Sequence, residues 1–356
     1  MANNSTFQIL MKHRSAVMGE ASLWILIFHE WQPIFNSIWI FKPLEEYIKR
    51  IGFCGVDIFL FLSGMGMPFA IQKGIKTYYA RRASRILPPY IVAALLMKIA
   101  GTFGWGEFWK NITGYNFIVN NIYSFLWYVP AIAILYLLFP IYWRTINSSK
   151  INTVIILLLW LLLTTLCRNI SRQDIFGFTN RIPVFLVGVE YGTYNLTPNK
   201  DNVKTADRIA LLITMLVAGI YLSYLTNYRD YYLMVPQSNC FLPNILIGIS
   251  VTLLTAYFFE YLNYTKGILR KFSIHLNTIF THIGSISLEL YCVQEWVGNS
   301  INTKLYGLLN NICLNILIFS VTIIAALLMR FAIEYARKYI LLLNSHMRMH
   351  RDKYRQ

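Results

Sequence analysis

Charge is scarce in this sequence. Only 13% of its 356 residues are Asp, Glu, Lys or Arg, against ~25% in a typical soluble globular chain. Hydrophobic residues make up 56%, and the mean hydropathy is +0.47. A water-soluble core cannot absorb that much apolar surface, whereas a bilayer can. Acid is scarcer still, with 16 Asp and Glu against 32 Lys and Arg, a net charge of +16. In so apolar a chain the excess base reads as a device that fixes topology against an anionic leaflet, so no nucleic-acid partner is expected. Ordered cysteine is missing as well. Cys54, Cys167, Cys240, Cys292 and Cys313 are odd in number and scattered. They form no CxxC pair and no metal-ligand spacing, and read as small packing residues. The first 14 residues are polar and the first apolar segment is too long for a cleavable signal, so that segment reads as an uncleaved anchor. Neither an internal repeat nor a low-complexity linker divides the chain, which reads as one membrane domain over residues 1–336 with a basic tail over 337–356.

What the sequence has in abundance is long apolar runs. About 20 residues are needed for a helix to cross ~30 Å of hydrocarbon. Stretches of that kind lie near 16–35, 53–71, 88–102, 122–143, 151–167, 182–194, 209–225, 241–262, 283–301 and 314–331. The expected fold is all-α, a polytopic membrane protein of ten helices. With the N-terminus in the cytoplasm, the cytoplasmic loops and the two terminal segments together hold 22 of the 32 Lys and Arg. That bias supports ten crossings with both termini cytoplasmic. The tail, with its apolar patch at 339–343, reads either as an amphipathic segment on the inner leaflet or as a frayed cationic end.

Ionisable groups inside a bilayer are costly and are site candidates by default. At 1.5 Å per residue His29 lies ~21 Å along the first span, and Asp57 lies ~7 Å below the outer edge of the second. Similar depth permits a general base oriented by a carboxylate. It equally permits a histidine satisfied by a carbonyl, with Asp57 capping its helix. Trp127, Arg181, Gln294 and Glu295 fall at the same level and Glu289 lies deeper, a pattern that suggests a polar cavity opening outward. On the opposite side Lys73, Lys76, Arg81, Arg82 and Arg85 crowd one short segment, with Arg81 and Arg85 a helical turn apart. Such a cluster suits a phosphorylated ligand, and it also suits topology alone.

Five segments carry a resemblance. Gly55-Val56-Asp57-Ile58-Phe59-Leu60-Phe61-Leu62-Ser63-Gly64 resembles the GVDxFFxLSG signature of the acyltransferase-3 family. Residues 79–90, YARRASRILPPY, are similar to its FxxRRxxRIxPxY. The runs from Leu126 to Pro140, from Arg181 to Gly188, and from Ile283 to Tyr291 resemble its LWFL…YLLFP, RxPxFLLG and IGxxSLEIY segments. The resemblance implies ten membrane helices and acyl transfer to a hydroxyl from a cytoplasmic acyl-CoA donor, acetyl-CoA being the commonest, with no bound cofactor. The acceptor it implies is a cell-surface or lipid-linked glycan, in a bacterial cytoplasmic membrane. It assigns catalysis to His29 and donor binding to Arg81, Arg82 and Arg85. The shared depth adds Asp57 as the group that would orient His29, and Arg14 is the candidate to stand in for the arginine missing at Met18. Trp127, Arg181, Glu289, Tyr291 and Gln294 are the candidates for acceptor binding.

The chain departs from the family pattern twice. The Arg expected eleven residues before the histidine is Met18, with Arg14 one turn earlier, and Gln294 stands after Tyr291 where members often have His. No Gly-Asp-Ser tripeptide of a fused hydrolase-like domain occurs, so the chain is expected to act alone or with a separate partner. Ten helices with a polar interior also suit a transporter of lipid-linked sugars, and the departures suit an inactive scaffold.

Overall fold

The computed structural model describes residues 5–35, 38–120, 126–148, 150–169, 173–197, 203–229 and 242–353. The described residues form fourteen α-helices: α1 (Thr6–Glu30), α2 (Phe41–Arg50), α3 (Cys54–Ile71), α4 (Ile75–Ile99), α5 (Trp105–Ile112), α6 (Tyr128–Ser148) and α7 (Lys150–Asn169). They continue with α8 (Gln173–Thr179), α9 (Ile182–Tyr194), α10 (Thr205–Tyr228), α11 (Leu242–Asn263), α12 (Gly267–Ser285), α13 (Ser287–Leu305) and α14 (Asn311–Lys353). No strand occurs among the described residues. All ten apolar stretches coincide with helices, namely α1, α3, α4, α6, α7, α9, α10, α11, α13 and α14. Cys240 lies outside the described residues.

The burial pattern is that of a protein dissolved in lipid. Leu158, Leu211, Val217, Ile316, Leu328 and Phe331 are each at least 60% exposed, while Asp57, Asn244, Ser250, Thr252 and Thr322 are fully buried. Helices satisfy their own backbone and can turn apolar side chains outward, while polar side chains must find one another inside. Among the described residues five helical segments are long and apolar enough to cross a membrane: Phe41–Ile71, Tyr128–Ile146, Thr205–Tyr228, Pro243–Asn263 and Asn311–Ile340. The helices α1, α4, α9 and α13, which hold most of the polar candidates, are shorter or more polar than that.

Without a hydrophobic drive between helices in lipid, close packing needs small residues at the crossings. Two such crossings centre the bundle. At one, α3 lies on α9: a Cβ added at Gly64 would overlap the Phe185 carbonyl, and one at Gly188 the Phe61 carbonyl. At the other, α1 lies on α12, where Gly19 faces the Phe280 carbonyl and Gly284 the Ser15 carbonyl. Farther along, Gly298 of α13 lies under the Glu30 side chain. Thus α12 and α13 follow α1 in the same direction, interrupted only at Ile286, whose φ of −106° and ψ of 16° break the helix between Ser285 and Ser287.

Four local expectations change. The basic segment 73–85 is not a loop, because α4 begins at Ile75, directly after Gly74 at φ 90°. No helix breaker occurs between Lys76 and Ile86, so the arginines ride on the first turns of α4. The segment 264–282, expected as a cytoplasmic connection, is α12, whose Ser273 is buried. The tail is not a separate segment, because α14 runs uninterrupted for 43 residues. The second span does not start level with the end of the first: α2 intervenes, and a Cβ at Gly55 would strike the Ala21 carbonyl and Ile25.

The crossings yield a matched pair of substitutions. Gly64→Ala must displace backbone and is expected to cost ~1–3 kcal/mol, lowering Tm of the purified protein by several degrees. Gly66, two residues on, has nothing within 4 Å of an added Cβ. Gly66→Ala should leave Tm unchanged or raise it, as a helical Gly→Ala gains ~0.5–1 kcal/mol. Equal Tm values for the two variants would show that the α3–α9 contact is looser than described.

Candidate functional site

One cavity of about 460 Å³ opens among α1, α3, α4, α6, α13 and α14. Arg14 enters it from α1, Arg82 and Arg85 from α4, and Arg330 from α14. The helical periodicity of α4 explains which arginines take part. Arg82 and Arg85 are three apart and face inward, whereas Arg81 is exposed and lies outside the cavity wall. The expected pairing of Arg81 with Arg85 on one functional face is therefore replaced by Arg82 with Arg85.

The opposite wall is aromatic and hydroxylic. The Tyr136 hydroxyl lies 3.3 Å from Ser63 Oγ, and the Tyr291 hydroxyl accepts from the Tyr128 backbone N–H at 3.1 Å. The Arg82 guanidinium stands 5.1 Å over the Tyr136 ring, a cation–π contact. Arg330 is neutralised, with Nη1 3.3 Å from Glu289 Oε1 and Nε paired with Glu334. Glu289, a candidate for acceptor binding, is thus a buried counter-charge behind the cavity. Among the described residues no carboxylate pairs with Arg14, Arg82 or Arg85. Three uncompensated guanidiniums around one concavity focus a positive field, which suits an anion with forked oxygen acceptors.

Above the arginines the α1 wall turns apolar. Arg14, Met18 and Ile25 all line the cavity, and at 100° per residue His29 falls within ~60° of the same stripe, one turn past Ile25. His29 is half-buried, packed edge-on to Phe28 at 4.8 Å. Next to it Glu30 is buried and interacts with Glu295 of α13 and Lys49 of α2. A histidine one turn beyond a cationic chamber can receive the far end of a long ligand whose anionic groups stay among the arginines.

The pairing of His29 with Asp57 does not form. Because α3 starts level with Ala21 to Ile25 of α1, Asp57 lies about 10 Å deeper along the bundle than His29. Its carboxylate is fully buried. Oδ1 lies 3.4 Å from Arg181 Nε, and Oδ2 accepts from Asn244 Nδ2 at 2.8 Å. Asn244 Oδ1 in turn lies 3.3 Å from Cys54 Sγ. The Arg181 guanidinium is sandwiched by Trp127 at 5.2 Å and Phe53 at 5.6 Å, and Nη1 donates to the Gly177 carbonyl. Asp57, Arg181 and Trp127 therefore form one knot joining α3, α9 and α11, separate from His29. Gln294 is buried inside α13 and lines neither this knot nor the cavity.

Sequence reasoning missed Arg330, Tyr128, Tyr136 and Asn244. Arg330 closes the last apolar run, where a basic residue reads as a topology marker. Asn244 is an amide inside an apolar stretch, a signal that could have flagged it.

Removing one partner of the buried pair strands the other. Asp57→Ala is expected to destabilise by ~3–5 kcal/mol, seen as loss of monodisperse protein in detergent. Asp57→Ala with Arg181→Met should recover much of the yield; equal loss in both variants would make Asp57 more than a counter-charge.

Comparison with known proteins follows the same geometry. The acyltransferase-3 family model, described as an acyltransferase domain, matches residues 10–331. That span includes all four cavity arginines, His29 and the Asp57 knot. No curated protein and no solved structure matches the chain. From the first buried turn of α1 to the arginine of α14 that closes the cavity, this chain belongs to the acyltransferase-3 family of membrane acyltransferases.

Proposed function

We propose that the protein is a membrane O-acyltransferase that moves an acyl group, acetyl in the simplest case, from acyl-CoA to a hydroxyl of a cell-surface or lipid-linked glycan. The observation that carries this reading is the cationic cavity, whose α1 wall of Arg14, Met18 and Ile25 points along one helical stripe toward His29, one turn beyond it. The phosphates of acyl-CoA would lie among Arg14, Arg82, Arg85 and Arg330, on the cytoplasmic side of a bacterial membrane that the chain crosses ten times. From Arg14 to His29 the stripe rises ~22 Å, room for an extended arm carrying a thioester. Met18, which replaces the family arginine, faces that arm, and Arg14, one turn away and without a carboxylate partner among the described residues, supplies the charge.

In the reaction His29 takes the proton from the acceptor hydroxyl, and the oxygen attacks the thioester carbonyl. The tetrahedral intermediate collapses with departure of the CoA thiolate, and the imidazolium returns the proton to that sulfur. Positioned proton transfer of this kind contributes ~10²–10⁴-fold. Asp57 acts at a distance, holding α3 in register through Arg181 and Asn244.

Alkali-released acetate in the surface polysaccharide of cells expressing the protein tests the first step. Acetate present with the wild type should vanish with His29→Ala at equal membrane abundance; full acetylation by that variant would remove His29 from the mechanism. In membranes, Arg82→Ala and Arg85→Ala should each raise KM for acetyl-CoA ~10–100-fold, as a charged hydrogen bond contributes ~1.5–3 kcal/mol. Arg81→Ala should leave it unchanged.

A further inference from the structure

A second concavity, of about 430 Å³, lies between the C-terminal ends of α4 and α13. It is not part of the arginine cavity, yet the two occupy consecutive turns of α13. Ser287, Leu288 and Tyr291 line the first, and Glu295, Asn299 and Thr303 line the second. Tyr291 and Glu295 are one turn apart, ~6 Å along the helix. Glu295 also interacts with Glu30, the neighbour of His29 in sequence. The groove therefore starts where the stripe through Arg14, Met18, Ile25 and His29 ends.

Its exposed lining is mostly apolar, with a few polar groups set into it. Trp296 supplies an aromatic face, and Met97 of α4 a small apolar contact. Ser300 Oγ donates to the Trp296 carbonyl and Thr303 Oγ1 to the Asn299 carbonyl, each at 2.7 Å. Both hydroxyls have thus spent their protons on their own helix and offer lone pairs to the groove. Glu295 adds acceptors, while Asn299 and Lys304 supply donors. A lipid tail would leave these groups unsatisfied, and a phosphate would meet the Glu295 carboxylate and too few donors. A neutral polyol, each hydroxyl of which both donates and accepts, satisfies the set, and the apolar face of a pyranose covers an aromatic ring. The volume lies within the ~300–1,000 Å³ range of small-molecule sites.

We infer that this groove holds the acceptor as a neutral hexose unit of a glycan, stacked on Trp296 and presented to His29. The inference rests on the acyltransferase reading above, and its test does not depend on turnover. Saturation-transfer NMR would be recorded on the full chain in detergent, without acyl-CoA. The probes are the methyl glycosides of glucose, galactose and N-acetylglucosamine, with chitotetraose. At least one should show saturation at its ring protons, reduced at least fivefold in Trp296→Ala and restored in Trp296→Phe, which keeps an aromatic face. Asn299→Ala should weaken it as well. His29→Ala should bind like the wild type, so a failure of His29 as the base would appear in the acetate assay and not here. Saturation that survives Trp296→Ala, or none with any probe, would overturn the groove as the acceptor site.

Discussion

A charge inside a bundle surrounded by hydrocarbon must be neutralised by another charge or must face water, and this requirement sorts the interior. Asp57 is met by Arg181 and Asn244, Glu289 by Arg330, and Glu260 by His13 at 2.9 Å and Lys12 at 2.6 Å. Each pair joins two different helices and fixes their depth relative to one another. Arg14, Arg82 and Arg85 have no carboxylate among the described residues, and they are found where the bundle opens into a cavity. These three carboxylates are paired, and the three arginines without a carboxylate line the cavity.

The same requirement explains why Asp57 is not the partner of His29. A carboxylate hydrogen-bonded by an amide and flanked by a guanidinium has little capacity left for an imidazole about two turns away. What it does instead is geometric. The α3–α9 crossing depends on backbone contact at Gly64 and Gly188, and a contact that close tolerates no slippage. The Asp57–Arg181 bridge, at the other end of the same pair of helices, sets its register.

Much of the architecture was legible in the residues. Every apolar stretch became a helix, because length and hydropathy report directly on what a bilayer demands. The family signature from Gly55 to Gly64 marked the helix whose small residues build a crossing. Depth was harder to read. Counting residues from an assumed membrane edge put Asp57 level with His29, and α2 upset that count by carrying ten residues before the chain turned inward. Faces were harder again. Arg81, Arg82 and Arg85 look alike in sequence, and which two point inward depends on where α4 starts, a boundary set by Gly74. Arg330 lies 316 residues from Arg14, a proximity that no local pattern reports.

The length of α14 has a mechanical consequence. Its 43 residues extend over ~64 Å, about twice the thickness of a bilayer's hydrocarbon core. Near its middle Arg330 forms part of the cavity wall, and two turns farther Arg337 is tied to the Ser84 carbonyl on the helix that bears Arg82 and Arg85. A continuous helix held at these two points couples its far arm to the cavity wall. A load on its free arm is transmitted to the spacing between Arg330 and the α4 arginines, and so to the width of the chamber they enclose.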